Sequence, residues 1–187
     1  MFSNDLNVEA TPNYSILGNE KITEIQRDDN ISTVLEIYPS EWTEDYSELL
    51  DTFLWRSSNQ STGIYKRKGD TIEIYVDESA QQLPTYTLTG ISLSNYQEGG
   101  KSGTRLQRGK NTISGDQEGI IHIQNEGSRV TQQTTRVEIR GGVTIPRFVL
   151  GKMTDKEWQD ELNKYPNAPG YELVGPNTLI TGSDKTI

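Results

Sequence analysis

Thr62-Gly63-Ile64-Tyr65-Lys66-Arg67-Lys68-Gly69-Asp70-Thr71-Ile72-Glu73-Ile74-Tyr75-Val76 is the stretch that decides how the rest of this chain is read. Ile72, Ile74 and Val76 alternate with Thr71, Glu73 and Tyr75, the period of a strand with one face buried. Lys68-Gly69-Asp70 precedes them as a turn, with a glycine free to take positive φ. Ile64 and Tyr65 belong to the strand before, so the stretch reads strand, turn, strand. The same grammar recurs up to about Ile139.

The strands outward from it are short. Ser32 to Tyr38 reads as a strand stopped by Pro39. Thr85 to Leu93 reads as another, and its apolar phase shifts at Gly90: Tyr86 and Leu88 share a face that Ile91 and Leu93 leave. One extra residue at Gly90 restores the register, so a bulge is expected there. Leu106, Ile113, Ile121 with Ile123, and Val137 with Ile139 mark four more short strands between turn signals. This spacing predicts a mainly β chain, an antiparallel β-sandwich of jelly-roll type, rather than βαβ units.

Two helices are expected at its borders. Trp42, Tyr46, Leu49, Leu50, Phe53 and Leu54 form one apolar stripe over residues 40–56, with Ser40 as cap. Residues 1–30 are polar and read as an extended arm. The sandwich is expected over 31–142, and 143–187 is a strand–helix–strand connector. Thr154 and Glu157 make a capping box for a helix near 154–165, Met153 and Trp158 are spaced as a hydrophobic staple, and Pro166 ends it. Tyr171 to Thr181 is one further strand or two.

The bulk chemistry excludes several functions. A net charge of −9 leaves only short basic runs, too few for nucleic-acid binding by counterion release. The chain has no cysteine, hence no disulfide or thiolate metal site. No apolar run is long enough to cross a bilayer, and Met1 to Ala10 lacks the features of a signal peptide. The single histidine, His122, shares a strand face with Gln124 and reads as a surface or rim residue. One histidine cannot furnish an ordinary catalytic zinc set, so no catalytic, metal or cofactor residue is expected. Asp70, Asp77 and Glu78 lie near a turn but fit no calcium loop. Among the aromatics, Trp55 and Tyr96 are the ones free to stack on a sugar.

Several motifs taken together carry a family resemblance. Ile145-Pro146-Arg147-Phe148-Val149-Leu150-Gly151-Lys152-Met153-Thr154-Asp155-Lys156-Glu157-Trp158 and Tyr165-Pro166-Asn167-Ala168-Pro169 resemble the enhancin-like, mucin-degrading zinc metallopeptidases. So do Thr62-Gly63-Ile64-Tyr65 with Gly69-Asp70, Leu106-Gln107-Arg108-Gly109-Lys110-Asn111, and Ile123-Gln124-Asn125. The likeness spans roughly residues 60–182 and is most specific toward its end. It implies the non-catalytic N-terminal sandwich of a secreted protease acting on mucin-type glycoproteins. The family's His-Glu-x-x-His signature is absent, so zinc is expected only in a catalytic domain beyond this chain.

The resemblance implies two partners: the catalytic domain of the same polypeptide, docking near Phe148, Trp158 and Leu173, and a mucin-type glycoprotein or glycan. The alternative is a free-standing carbohydrate- or surface-binding sandwich, using Trp55 and Tyr96.

Overall fold

The computed structural model describes residues 25–28, 32–39, 59–91, 103–125, 134–175 and 178–183. The expected helix over 40–56 lies outside them, as does most of the expected arm. The end of that arm, Ile25–Asp28, is strand β1. Then follow β2 (Ser32–Ile37), β3 (Gln60–Lys66), β4 (Ile72–Val76), β5 (Thr85–Thr89), β6 (Thr104–Arg105) and β7 (Gly109–Ile113). After these come β8 (Gly119–Gln124), β9 (Thr135–Arg140), β10 (Val143–Thr144) and β11 (Arg147–Val149). Helix α1 (Asp155–Lys164), β12 (Gly170–Gly175) and β13 (Thr178–Ser183) complete the described chain.

Two five-stranded antiparallel sheets form the sandwich, in the orders β1-β2-β9-β4-β7 and β10-β3-β8-β5-β6. Strands β2 to β9 alone run β2-β9-β4-β7 in one sheet and β3-β8-β5-β6 in the other. That is the double Greek key of a jelly roll. Between the sheets lies an apolar core that includes Leu35, Ile37, Ile74, Leu106, Ile121, Ile123 and Ile139. All but Leu106, which lies between β6 and β7, come from the inward phase of a strand, as the alternation requires.

The founding stretch is a corner and not a hairpin, since β3 and β4 belong to opposite sheets. Gly69 takes φ 81° at the corner. The Arg67 amide donates to the Asp70 carboxylate at 3.0 Å, and the Asp70 amide donates to the Arg67 carbonyl at 3.1 Å. Lys66, read from sequence as part of a basic run, is buried. Its ammonium donates to the carbonyls of Arg67, Gly115 and Gln117 at 3.1, 2.8 and 3.0 Å, so all three of its protons are used.

The bulge expected at Gly90 is elsewhere. β5 stops at Thr89, and the register shift falls between Ser61 and Tyr65 in β3. Gly63 sits inside that shift with φ 67°, a conformation that a β-carbon would strain. Sequence parity alone located a phase change but could not tell a bulge from a strand end.

Past Gly142 the grammar changes. β11 and β12 pair in parallel with α1 between them, and β12 pairs antiparallel with β13. The sandwich's lack of βαβ units therefore holds only up to here: the connector is itself a strand–helix–strand crossover. Tyr171 to Thr181 resolves into two strands because residues 176–177 separate β12 from β13.

Candidate functional site

This third sheet lies on the outer face of the sheet that contains β3 and β8. The consequence shows in the burial: β4 alternates buried and half-buried residues, whereas β3 and β8 are buried on both faces over most of their length. Along the seam, Tyr65, Ile120, Ile145 and Ala168 form a small apolar cluster. Burial, then the charge and hydrogen bond of Glu118, push the Tyr65 hydroxyl up to about 12.

At the middle of the seam is a carboxylate. Glu172, in β12, has no exposed surface. It shares its strand phase with Gly170 and Val174, all turned toward the sandwich. Its Oε2 accepts the Ser61 hydroxyl at 2.6 Å and the Gly63 amide at 3.2 Å. Oε1 lies 2.7 Å from His122 Nε2. His122 Nδ1 is 2.8 Å from the Thr89 hydroxyl, and Arg147 Nε donates to Ser61 Oγ at 2.7 Å. A proton on Nε2 lets the ring donate to Glu172, and the Thr89 hydroxyl, which can both donate and accept, suits Nδ1 in either role.

The β3 bulge is what makes this possible. It turns the Gly63 amide out of the ladder toward Glu172, and the Gly63 carbonyl accepts from the Ile145 amide at 3.0 Å. Burial is the largest single influence on Glu172 and pushes its pKa up. The His122 hydrogen bond and charge, the Ser61 hydroxyl and the Arg147 charge together outweigh it and hold the carboxyl below its ordinary value.

A hydroxyl, an imidazole and a carboxylate in a row have the composition of a hydrolytic triad. Here the imidazole and carboxylate are both buried beneath the third sheet, so no substrate atom can reach them. The cluster joins two layers. It also does not fit a metal, because both Glu172 oxygens are engaged and His122 is the sole second ligand type beside it. Among the described residues no group of three or more His, Cys, Asp or Glu could hold an ion.

The opposite face of the third sheet carries a row of apolar residues. Phe148 pairs with Leu173, and Leu173 with Ile180. Trp158 from α1 packs over one end of the row, edge-on to Phe148 and Tyr171 at ring-centre separations of 5.8 and 6.1 Å. The helix is capped as expected: Glu157 accepts the Thr154 amide at 2.7 Å and the Thr154 hydroxyl accepts the Glu157 amide at 3.3 Å. Trp158 is only half-buried, and no residue of α1 is fully buried, because the helix lies on the outside of the sheet. Ile180 and Leu150 are exposed, at 51% and 39%.

Of the residues singled out from sequence, Phe148, Trp158 and Leu173 thus share one face. Trp55 and Tyr96 lie outside the described residues. His122 is a correction: it is 1% exposed, not a rim residue. Its strand face does point out of the sandwich, as read, but the third sheet covers it. Glu172, Ser61 and Arg147 escaped the sequence reading. In Tyr171-Glu172-Leu173-Val174 apolar residues occupy both phases, so nothing marked the glutamate's face as the buried one.

No family profile matches the chain. A solved conserved protein of unknown function from Bacillus anthracis str. Ames superimposes with a TM-score of 0.68 at 27% identity, over 83% of this chain and 31% of that one. The catalytic module of the metalloprotease ZmpA from Clostridium perfringens does so with a TM-score of 0.67 at 19% identity, over 80% of this chain and 34% of the module. For the M60 catalytic domain of ZmpC from the same organism, in complex with the sialyl T antigen, the values are 0.66, 21%, 80% and 33%. The fold is shared with M60 metallopeptidase modules. Among curated proteins, TRPM8 channel-associated factor 3 of Rattus norvegicus is 28% identical over 130 residues, 65% of this chain and 14% of that protein. The chain therefore spans about a third of the solved structures and about a seventh of the curated relative. No helix among the described residues is long and apolar enough to cross a membrane.

Proposed function

We propose that this chain is the sandwich-and-connector portion of a secreted, enhancin-like zinc metallopeptidase acting on mucin-type glycoproteins, and that it braces the catalytic domain without doing chemistry itself. The observation that carries this reading is the superposition on M60 metallopeptidase modules over 80% of this chain but only about a third of theirs. The sequence motifs of residues 60–182 that resemble the enhancin-like family support the same reading. What supports this substrate class is that two of the neighbouring metallopeptidases are complexes with the sialyl T and Tn antigens. The seam supports the bracing role: hydrogen bonds around the buried Glu172 tie the connector to the sandwich, and half-buried Phe148, Trp158 and Leu173 lie on the connector's other face.

The test compares the purified chain with the longer polypeptide that contains it. Chelator-sensitive cleavage of a mucin-type glycoprotein is expected from the longer protein alone. The reading is overturned if this chain cleaves by itself, or if the longer protein binds no zinc and cuts nothing. Titrating mucin O-glycans into the chain while following amide shifts separates bracing from binding. Saturable shifts at Trp55 and Tyr96, with none near Phe148 or Leu173, would favour a carbohydrate-binding module.

A further inference from the structure

The six strands at the edges of the three sheets are not alike. Among the described residues these edges are β1 and β7, β10 and β6, and β11 and β13. An exposed edge presents unpaired amides and carbonyls, and proteins blunt such edges by shortness, charge or proline. β6 and β10 have two residues each and β11 three. β1 has four residues, and β7 carries Lys110. β13 has none of these devices: it is six residues of Thr-Leu-Ile-Thr-Gly-Ser, uncharged and free of proline. Its Ile180 is also the most exposed large apolar residue described.

The sheet to which it belongs is mixed, a parallel pair bridged by a helix with β13 added antiparallel. One face of this sheet is covered, with Glu172 and Val174 buried against the sandwich. Among the described residues the other has α1 over one end, with Leu173 half-buried and Ile180 exposed beside that edge.

We infer that β13 is an internal strand of a larger mixed sheet, and that its outer edge over residues 178–182 is filled by an extended strand from the remainder of the same polypeptide, which also covers Ile180. The occupant is taken to be the same polypeptide because the chain spans only about a third of the solved structures it superimposes on. This inference rests on the reading of the chain as part of a longer protein and deepens it. The connector is then not a tether but the first β-α-β unit of the next domain, and the Glu172 seam sets how that domain sits on the jelly roll.

Amide hydrogen exchange over residues 178–182 reads this directly, since edge amides exchange through local opening while internal ones need the sheet to come apart. The outward amides of β13 are expected to exchange at least about 100-fold more slowly in the longer polypeptide than in this chain alone. Ile180→Lys should remove that protection in the longer protein while leaving the thermal midpoint of this chain unchanged. Equal, fast exchange in both proteins overturns the inference. Slow exchange in this chain alone, rising with concentration together with a dimer in sedimentation, also overturns it and assigns the edge to a second copy. Protection without mucin cleavage would sink the proposed peptidase activity and leave the strand-addition inference standing.

Discussion

The two outer faces of the sandwich carry the same chemistry under opposite conditions. On the sheet containing β4, Glu73 bonds Lys110 and the Tyr75 hydroxyl, Arg140 bonds Glu138 at 2.7 Å, and the Arg140 guanidinium stacks 4.5 Å from the Tyr75 ring centre. These groups are in water. On the sheet containing β3 and β8, Glu172 bonds Ser61, Gly63 and His122 beneath a third sheet. Both carboxylates have lowered pKa values. For Glu73 the Lys110 and Tyr75 hydrogen bonds act almost unopposed, while for Glu172 the partners must first overcome burial. A solvated network is largely replaceable by water, and surface pairs contribute little. A buried one is not replaceable, so each missing partner leaves a group unsatisfied. The difference teaches where this molecule has one allowed arrangement and where it has many.

The comparison breaks most visibly at Glu172. Glu172→Ala strands the Ser61 hydroxyl, the Gly63 amide and the His122 ring, and is expected to cost about 3–5 kcal/mol in chemical denaturation. A loss under about 1 kcal/mol would mean that water enters the seam and that the two faces are equivalent after all. Coupling energy between Glu172→Ala and His122→Ala in a double-mutant cycle apportions the pair.

The outer side of the third sheet is intermediate. A tryptophan buried outright loses about 3–5 kcal/mol on truncation, and Trp158 is half-buried, so Trp158→Ala should cost about 2 kcal/mol. A full core-sized loss would show that α1 is packed more deeply than its exposed residues indicate. Ser61→Ala, which cuts Arg147 and Glu172 off from their shared hydroxyl, should cost about 1–3 kcal/mol by the same denaturation.

Acid sharpens the contrast without mutation. The Glu172 pKa is below its ordinary value of 4.5 in the folded protein, so its contribution to stability is whole above that pH. It fades as the pH falls through the lower folded value, because the unfolded chain takes up the proton first. Glu172→Gln should flatten the fall in thermal midpoint below pH 4.5 relative to the parent chain. An unchanged slope would assign acid sensitivity elsewhere. Glu73→Ala, at the other extreme, should leave the midpoint within measurement scatter, and a clear drop would show that the solvated ladder is coupled to the core.

Much of this was legible in the residues. The alternation of Ile72, Ile74 and Val76 placed β4 correctly, since one solvated face leaves a clean period of two. Thr154 and Glu157 announced α1 because a cap is a local device. Phe148 and Leu173 were singled out together and do share a row. His122 and Glu172 were not readable, because what buries them is a layer arriving from the far end of the chain.

The sequence by itself determined β4 and most of the sandwich strands, the turn at Gly69 and the capped helix, all of which rest on contacts between near neighbours. Only the tertiary structure decided that β3 and β4 lie in opposite sheets, that the bulge falls at Gly63 and not Gly90, and that Glu172 is a buried carboxylate. The reason is physical: side-chain period fixes which residues share a face, but whether that face meets water or another sheet depends on residues 50 to 111 positions away, as His122 and Ser61 are from Glu172.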